Sequence, residues 1–560
     1  MDKNEENLRN FQISLDYIKE NKISKAEKLL LKLKEIEKFK IDALVYLGVC
    51  KIKTDSKDAA IKLLNQAIEI SSNHEFANLN LGLIYFDNKD FQNSIKYLNK
   101  AFEINNKNLV VIYHLGLINL LIKNLEEAEK YFNKVLELND SDQNALLNLG
   151  IIYNQKKDNK RTYDIYNKIL KINPNNLNAL NNIGILNYNL LNYKEAISNF
   201  TKCININKTY IPAYNNLGRV NADLRNFDKA KEFFDKSILL NQNDFVSKFE
   251  LSKIFFSLGD IENAFKFYEN RKLIVNDKNV NYIKKNFKSI EWNGEELKNK
   301  KIIILSEQGF GDVIQFSRYI NWLKNENQIY FLVNSKLNYL LRNLKVNLIN
   351  GLNEIPNHDY YQSILTLPGI YYKSKKRVLD EVNYIKSDKF VEKKWSQKLD
   401  YLKKYKVGIF WQGNKNYTDD IKRSIPLIKF EKIIKNKNID IISFQKGFGS
   451  EQIKKNQFES YIKDFSSEID IDNDAFKDTV SILKNINLLI TIDSAIAHVA
   501  GTLGIKTWLL LFHNPHWVWQ LQKNDISFYK SVEIIQQEKP GDWSNVFKKV
   551  EAKLDLILSS

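Results

Sequence analysis

The chain has 560 residues, 44% of them hydrophobic and 27% charged, with a formal net charge of +17. That length exceeds the usual span of one domain and that apolar share excludes a disordered chain, so two or three packed units are expected. Residues 1–278 hold 41 Lys and Arg against 35 Asp and Glu, and the remainder 43 against 32, so the C-terminal half is the more basic. A basic cleft suits a phosphate-bearing ligand, but no dense Lys/Arg tract occurs, which argues against nucleic acid as a partner. The two cysteines, Cys50 and Cys203, belong to no metal or redox motif, so neither a disulfide framework nor a metal site is expected. The chain opens on the polar Met1-Asp2-Lys3-Asn4-Glu5-Glu6, and no apolar run approaches the roughly 18 residues that span a membrane, so a soluble cytoplasmic protein is expected.

The N-terminal half repeats itself. Gly48, Gly82, Gly116, Gly150, Gly184 and Gly218 recur every 34 residues, each after an aliphatic residue. Twelve residues beyond each comes a small residue (Ala60, Ser94, Ala128, Thr162, Ala196, Ala230), and sixteen beyond a large apolar one (Leu64, Leu98, Phe132, Tyr166, Phe200, Phe234). The frame runs back through Ser14 and Ala26 and forward through Ser252, Ala264 and Tyr268, giving eight units over roughly 7–278. This pattern resembles the tetratricopeptide repeat, a pair of antiparallel helices. The small residues let the two helices approach, and the large one is expected to fill the gap against the next unit. Stacked units then bury a continuous core and present a protein-binding surface. The motif departs from the family in holding Asn119, Asn187 and Asn221 where Tyr is usual. Asn148, Asn181, Asn182, Asn215 and Asn216 recur on the first helix of successive units. Either they form an amide ladder for an extended backbone or they reflect a composition rich in Asn.

After Arg271 the helical period gives way to apolar runs separated by helical segments. The stretch 279–300 reads as a linker. Predicted strands are 301–305, 329–333, 363–365, 407–411, 439–443, 488–492 and 507–512. Buried runs alternating with helices predict parallel sheets, here in two lobes, 301–395 and 396–560. Ligands of such sheets sit beyond the strand C-termini, which predicts a site in the cleft between the lobes.

Four motifs fall at those strand ends. Glu307-Gln308-Gly309-Phe310-Gly311-Asp312-Val313 turns from a strand into a helix, and Asp312 is placed to take a proton from a hydroxyl or merely to cap the helix. Trp411-Gln412-Gly413-Asn414 ends another strand, followed by Lys422 and Arg423, which either neutralise a diphosphate or merely form an exposed basic loop. Asp493-Ser494-Ala495-Ile496-Ala497-His498 places Ser494 and His498 on one helix face, where they and backbone N–H groups hold phosphate oxygens or where Asp493 or Ser494 merely caps the helix beside an incidental His. Finally, His513, His516 and Trp517 lie after the next strand, where they either shape a base or sugar pocket with Trp411 and Asn414 or pack between lobes.

Together with Arg423-Ser424-Ile425-Pro426-Leu427 and the closing Pro540-Gly541-Asp542-Trp543, these motifs resemble the bacterial tetratricopeptide-repeat glycosyltransferases related to glycosyltransferase family 9, the heptosyltransferase family. The resemblance implies an α-solenoid followed by a GT-B fold of two Rossmann-like lobes, with the nucleotide sugar on the C-terminal lobe. It implies inverting, metal-independent transfer with no cofactor beyond the nucleotide-sugar co-substrate. Asp312 matches the family's proposed general base, with Gly311 beside it. Lys422 or Arg423 matches the phosphate-binding basic residue, near Gln412. Asp493, Ser494, Ala495 and His498 match the segment that holds the donor diphosphate, with Ala495 where the family has Gly.

Similar repeat-bearing enzymes glycosylate flagellin or other proteins. The expected function is therefore transfer of a sugar to a Ser or Thr hydroxyl of a protein recruited by the repeats, a flagellin-like acceptor among them. The competing readings are a repeat scaffold with a degenerate transferase domain and a glycan or lipopolysaccharide glycosyltransferase.

Overall fold

The computed structural model describes residues 3–307, 309–324, 327–380, 383–415, 417, 419–472, 474–521 and 528–559; Gln308 of the first motif lies outside them. The chain divides into two compact units, Met1–Leu186 and Asn187–Ser560.

The first unit is a stack of helix pairs such as Gln143–Gln155 with Asn159–Ile172. Each pair turns through one residue at positive φ: Asn21, Asp55, Lys89, Lys123 and Lys157. The second unit continues the series at Leu191, Arg225 and Gly259. The interval of 34 holds throughout, and eight such turns reproduce the eight-unit frame. Five of the second helices, those ending before Asn105, Asn139, Asn173, Asn207 and Asn241, stop at an Asn. Asn139 and Asn173 accept the backbone N–H two residues on, at 3.4 and 3.1 Å, an Asx turn that competes with further helix.

A Cβ at Gly150 would strike the Tyr166 ring, sixteen residues on. The large residue thus packs on its own unit's glycine and, as expected, against the next unit: Phe132 shares a core with Ala145 and Leu149, Tyr166 with Ala179 and Ile183, and Phe234 with Leu251 and Ile254. Cys50 and Cys203 are buried and form no disulfide among the described residues, their thiols pushed up to about 11 by desolvation. The Asn side chains are partly committed inside the repeats. Asn148 Nδ2 donates to Tyr113 Oη at 3.1 Å, and Asn182 Nδ2 to Tyr166 Oη at 3.3 Å. In the second unit Asn215 Oδ1 accepts from Ser247 Oγ at 2.5 Å.

The second unit begins inside the repeats. Its helices include α1 (Ile211–Asp223) and α2 (Phe245–Leu258). The strands follow in two parallel sheets. The first contains β1 (Ile290–Glu291), β2 (Lys301–Leu305), β3 (Gln328–Leu332), β4 (Asn347–Ile349) and β5 (Tyr360–Ser363), ordered β1-β5-β2-β3-β4. The second contains β6 (Tyr405–Phe410), β7 (Ile439–Ser443), β8 (Ile462–Asp464), β9 (Leu488–Ile492), β10 (Thr507–Leu511) and β11 (Val532–Gln536), ordered β11-β10-β9-β6-β7-β8. The central strands are buried on both faces, β9 and β10 along their full length, as in a parallel sheet covered by helices on both sides. Three helices matter below: α3 (Phe310–Phe316) after β2, α4 (Ala495–Thr502) after β9 and α5 (Trp517–Leu521) after β10.

Three boundaries differ from those expected. The stretch 279–300 is not a plain linker, since the helix Lys278–Asn286 extends into it and β1 pairs with β5 through Ile290–Tyr360 and Glu291–Tyr361. Residue 278 does not separate the repeats from the sheets. Phe256, Phe265 and Tyr268 of the last repeat belong to one hydrophobic core with Ile302, Phe316 and Trp517, and the Phe256 and Trp517 rings stack at 4.1 Å. The reason is that a terminal repeat must bury its open apolar face, and here the sheet domain receives it. Buried Arg271, just after that repeat, fixes the junction by donating to Glu307 at 3.2 Å, Glu269 at 2.6 Å and Thr366 Oγ1 at 2.7 Å. The helix Lys389–Lys398, which the expected boundary between 395 and 396 cuts, packs as a whole on the helix Lys477–Leu483 of the second lobe, where Trp395 Nε1 donates to Asp478 at 2.6 Å.

Candidate functional site

The C-terminal ends of β2, β6, β7, β9 and β10 open on one cleft of about 990 Å³ within the second unit. Its first wall is the start of α3. Gly309 precedes the helix in extended conformation, and Gly309, Phe310, Gly311 and Asp312 line the cleft. Desolvation in the cleft, followed by the charge of Asp493, pushes the Asp312 carboxyl up to about 7. A carboxylate with that affinity takes up and releases a proton near neutral pH.

Facing it is the start of α4. Ser494 is the N-cap residue, but its hydroxyl donates to Ile492 O at 3.3 Å and does not cap the helix. Asp493 Oδ1 accepts from Trp519 Nε1 at 2.9 Å, which fixes the carboxylate at the strand end. The two helix starts touch through small residues. A Cβ at Gly311 would lie 3.1 Å from His498 Cδ2 and 3.6 Å from Ala495 Cα, so a side chain at Gly311 would push the walls apart. His498 stacks on Trp519 at 4.7 Å, and its Nδ1 lies 3.3 Å from Tyr529 Oη. Burial first, then the charge of His516 and Arg318, lowers its pKa to about 3, so the ring is a neutral imidazole. With Nδ1 toward Tyr529, Nε2 is left on the Gly311 side.

The third wall is the segment after β6. Gln412 Nε2 donates to Asp420 and Ser424 Oγ, both at 2.9 Å, and Gly413 N to Ser424 Oγ at 2.8 Å. Arg423 Nε donates to Asp420 Oδ1 at 3.0 Å, and its Nη1 to Asp493 O at 3.4 Å. Lys422 points the other way, toward the repeats. Its Nζ lies 2.7 Å from Asp223 Oδ2, 3.1 Å from Asp419 Oδ1 and 2.8 Å from Tyr188 Oη. Against desolvation, which lowers it, Asp223, Tyr188 and Asp419 hold this ammonium well above its ordinary pKa.

Of the residues expected from sequence, Gly311, Asp312, Gln412, Asn414, Lys422, Arg423, Asp493, Ser494, Ala495, His498, His516 and Trp517 all line this cleft. Two do not. Trp411 is fully buried in the core of the second sheet, with its Nε1 donating to Gly449 O at 3.2 Å. His513 turns toward β11, its Nδ1 3.3 Å from Gln537 O. Trp517 reaches the cleft edge, but its ring is packed between Phe256 and Phe316.

A fourth wall was not foreseen. Arg219 and Asp223 of α1 and Glu250, Lys253 and Ser257 of α2 also line the cleft, so the last repeats are part of it. A signal was present in the repeat frame. The residue after the glycine position is Val49, Leu83, Leu117, Ile151 and Ile185 in five units, then Arg219 and Lys253 in the last two.

Among the described residues no helix is long and apolar enough to cross a membrane. Comparison with protein families matches tetratricopeptide repeats at 42–74, 77–108, 110–142, 143–176, 177–210 and 211–244. No curated protein matches the chain. Among solved structures it is similar to a tetratricopeptide repeat protein from Parabacteroides merdae, with 18% identity, 44% of this chain and 97% of that one covered, and a TM-score of 0.36. It is also similar to YrrB, described as a TPR protein with an unusual peptide-binding site (20% identity, 33% and 95% covered, TM-score 0.28). A third is pilF of Pseudomonas aeruginosa (18% identity, 37% and 95% covered, TM-score 0.32). Residues 42–244 of this chain are thus tetratricopeptide repeats, protein-binding modules that precede a region of two parallel sheets.

Proposed function

We propose that the cleft is the active site of an inverting glycosyltransferase of GT-B type, which moves a sugar from a nucleotide sugar to a Ser or Thr hydroxyl of a protein. The observation that carries this reading is the placing of Asp312, with a pKa near 7, against the uncapped start of α4 in one cleft. Asp312 takes the proton of the acceptor hydroxyl as its oxygen attacks the anomeric carbon. The bond from that carbon to the donor phosphate breaks on the opposite face, and the nucleotide leaves with the electron pair. The N–H groups of α4, the Ser494 hydroxyl and His498 Nε2 then stabilise the departing oxygens.

Arg423 supplies the positive charge in this scheme, since Lys422 is spent on Asp223 and Asp419. No step is assigned to a metal, as in the heptosyltransferases the motifs resemble. The protein acceptor rests on the tetratricopeptide repeats, whose ordinary role is to hold other proteins.

The test is Asp312→Asn, with nucleotide release measured in the presence of a total-protein extract as the acceptor source. Loss of the base costs about 10²–10⁴-fold in turnover, while donor affinity stays within about twofold. Affinity lost with turnover preserved would overturn the role of Asp312.

A further inference from the structure

We infer that Arg219, seconded by Lys253, forms an oxyanion subsite on the repeat wall of the cleft, taking a phosphate or carboxylate group of the small ligand bound there. The first observation is one of register. In five successive repeats the residue after the glycine position is aliphatic and at least partly exposed, and only in the last two, whose helices α1 and α2 border the cleft, is it a cation. Two helices one repeat apart thus present a guanidinium and an ammonium at equivalent positions to one cavity.

The second observation is that the other charged groups of this wall are in direct contact with a partner, whereas Arg219 feels Glu250, Asp419 and Asp223 only at longer range. Against desolvation, which lowers its pKa, Tyr188 and these carboxylates raise it. Glu250 receives Lys253 on both oxygens, at 2.8 and 2.9 Å. Asp223 and Asp419 receive Lys422, at 2.7 and 3.1 Å. On the far side Arg423 holds Asp420 at 3.0 Å, and Lys446 donates to two backbone carbonyls at 2.7 Å. The half-buried Arg219 guanidinium lies over the Tyr188 ring, 5.3 Å from its centroid. It makes no hydrogen bond and no ion pair within 4 Å among the described residues. A half-buried guanidinium whose planar donor fork makes no direct hydrogen bond is free to take a two-oxygen anion in the cleft. Lys253, 41% exposed, can turn one proton from Glu250 to the same anion.

The subsite deepens the glycosyltransferase reading, from which it borrows only the identity of the ligand. The experiment titrates the full chain by calorimetry at fixed ionic strength with inorganic pyrophosphate in one arm and glucuronate in the other. Wild type is expected to bind at least one, and the arm that responds names the source as phosphate or sugar carboxylate. Arg219→Met, which keeps the stem against Tyr188, is expected to weaken that arm at least tenfold. Arg219→Lys should regain part of the loss, which a merely structural role would not give at unchanged melting temperature. Unchanged affinity in Arg219→Met, or no binding of either anion by the folded wild type, overturns the subsite. Loss confined to Arg423→Met overturns it too, while leaving the transferase reading in place. Anion binding that depends on Arg219 in a protein that binds no nucleotide upholds the subsite and defeats the transferase reading.

Discussion

Lys422 Nζ lies 2.7 Å from Asp223 Oδ2, an ion pair whose side chains are only 13% and 10% exposed and which ties the segment after β6 to the last turn of a repeat helix. This contact decides between two adjacent cations that look equivalent in sequence. Lys422 holds the segment in place, and Arg423 is the one presented to the ligand. Asp223→Ala would leave a buried ammonium with Asp419 as its sole carboxylate, at a cost of about 3 kcal/mol, the lower end for a broken buried pair. Arg423→Ala, at a more exposed site, is expected to cost less than about 1 kcal/mol of stability but to weaken nucleotide binding. Urea unfolding of both variants, paired with a binding titration, reads the two effects; the reverse order of stabilities would contradict the assignment.

The raised pKa of Asp312 sets the pH dependence. A base must be unprotonated, so kcat/KM is expected to rise with one proton through about pH 7 and then level off. His498, neutral above about pH 4, adds no limb near neutrality. A bound diphosphate adds negative charge beside the carboxyl, so the limb in kcat is expected at higher pH than in kcat/KM. The same shift has a stability consequence of fixed sign. The folded state keeps a proton on Asp312 between its unfolded value near 4 and about 7, so this group's contribution to stability falls as pH rises through that window. A pH–rate profile with its limb near 4 would contradict the desolvated position of Asp312.

In the first unit, Gly150→Ala drives a methyl group into the Tyr166 ring. Because both helices of the repeat are held by neighbouring pairs, the clash cannot relax freely, and a loss of about 1–3 kcal/mol is expected. Thermal unfolding of the single variant, and of Gly150→Ala with Tyr166→Leu, checks this. The smaller side chain should recover part of the loss, and additive effects would contradict direct packing of the two positions.

The repeats were legible because one interval governs them. The 34-residue spacing of glycines in sequence reappears as the 34-residue spacing of left-handed turns from Asn21 to Gly259. Most of the long buried strands were legible as apolar runs, although the strand expected at 363–365 lies at Tyr360–Ser363; β1, β4, β8 and β11 were not, because edge strands that are short, as Asn347–Ile349, or half exposed, as Val532–Gln536, carry no clear apolar run. The site motifs after β2, β6 and β9 converge as their place at strand ends required. Trp411 failed as a pocket residue because an aromatic at a strand terminus can point to either face, and this one enters the core. Asp223 and Arg219 were out of reach for another reason. Their roles depend on where a repeat helix meets a loop 200 residues later, and the only local trace was a cation in an aliphatic column.

The most direct test of the account is a thermal-shift titration of the full chain with ADP, UDP, GDP, CMP and their sugar conjugates. A ligand that binds only the folded state stabilises it by mass action, by about 2.7 kcal/mol at a hundred times its Kd. The account predicts that one nucleotide and its sugar conjugate raise the melting temperature, and that Arg423→Ala and His498→Ala each diminish the shift. A folded protein that none of these ligands stabilises would contradict a nucleotide-sugar site in the cleft.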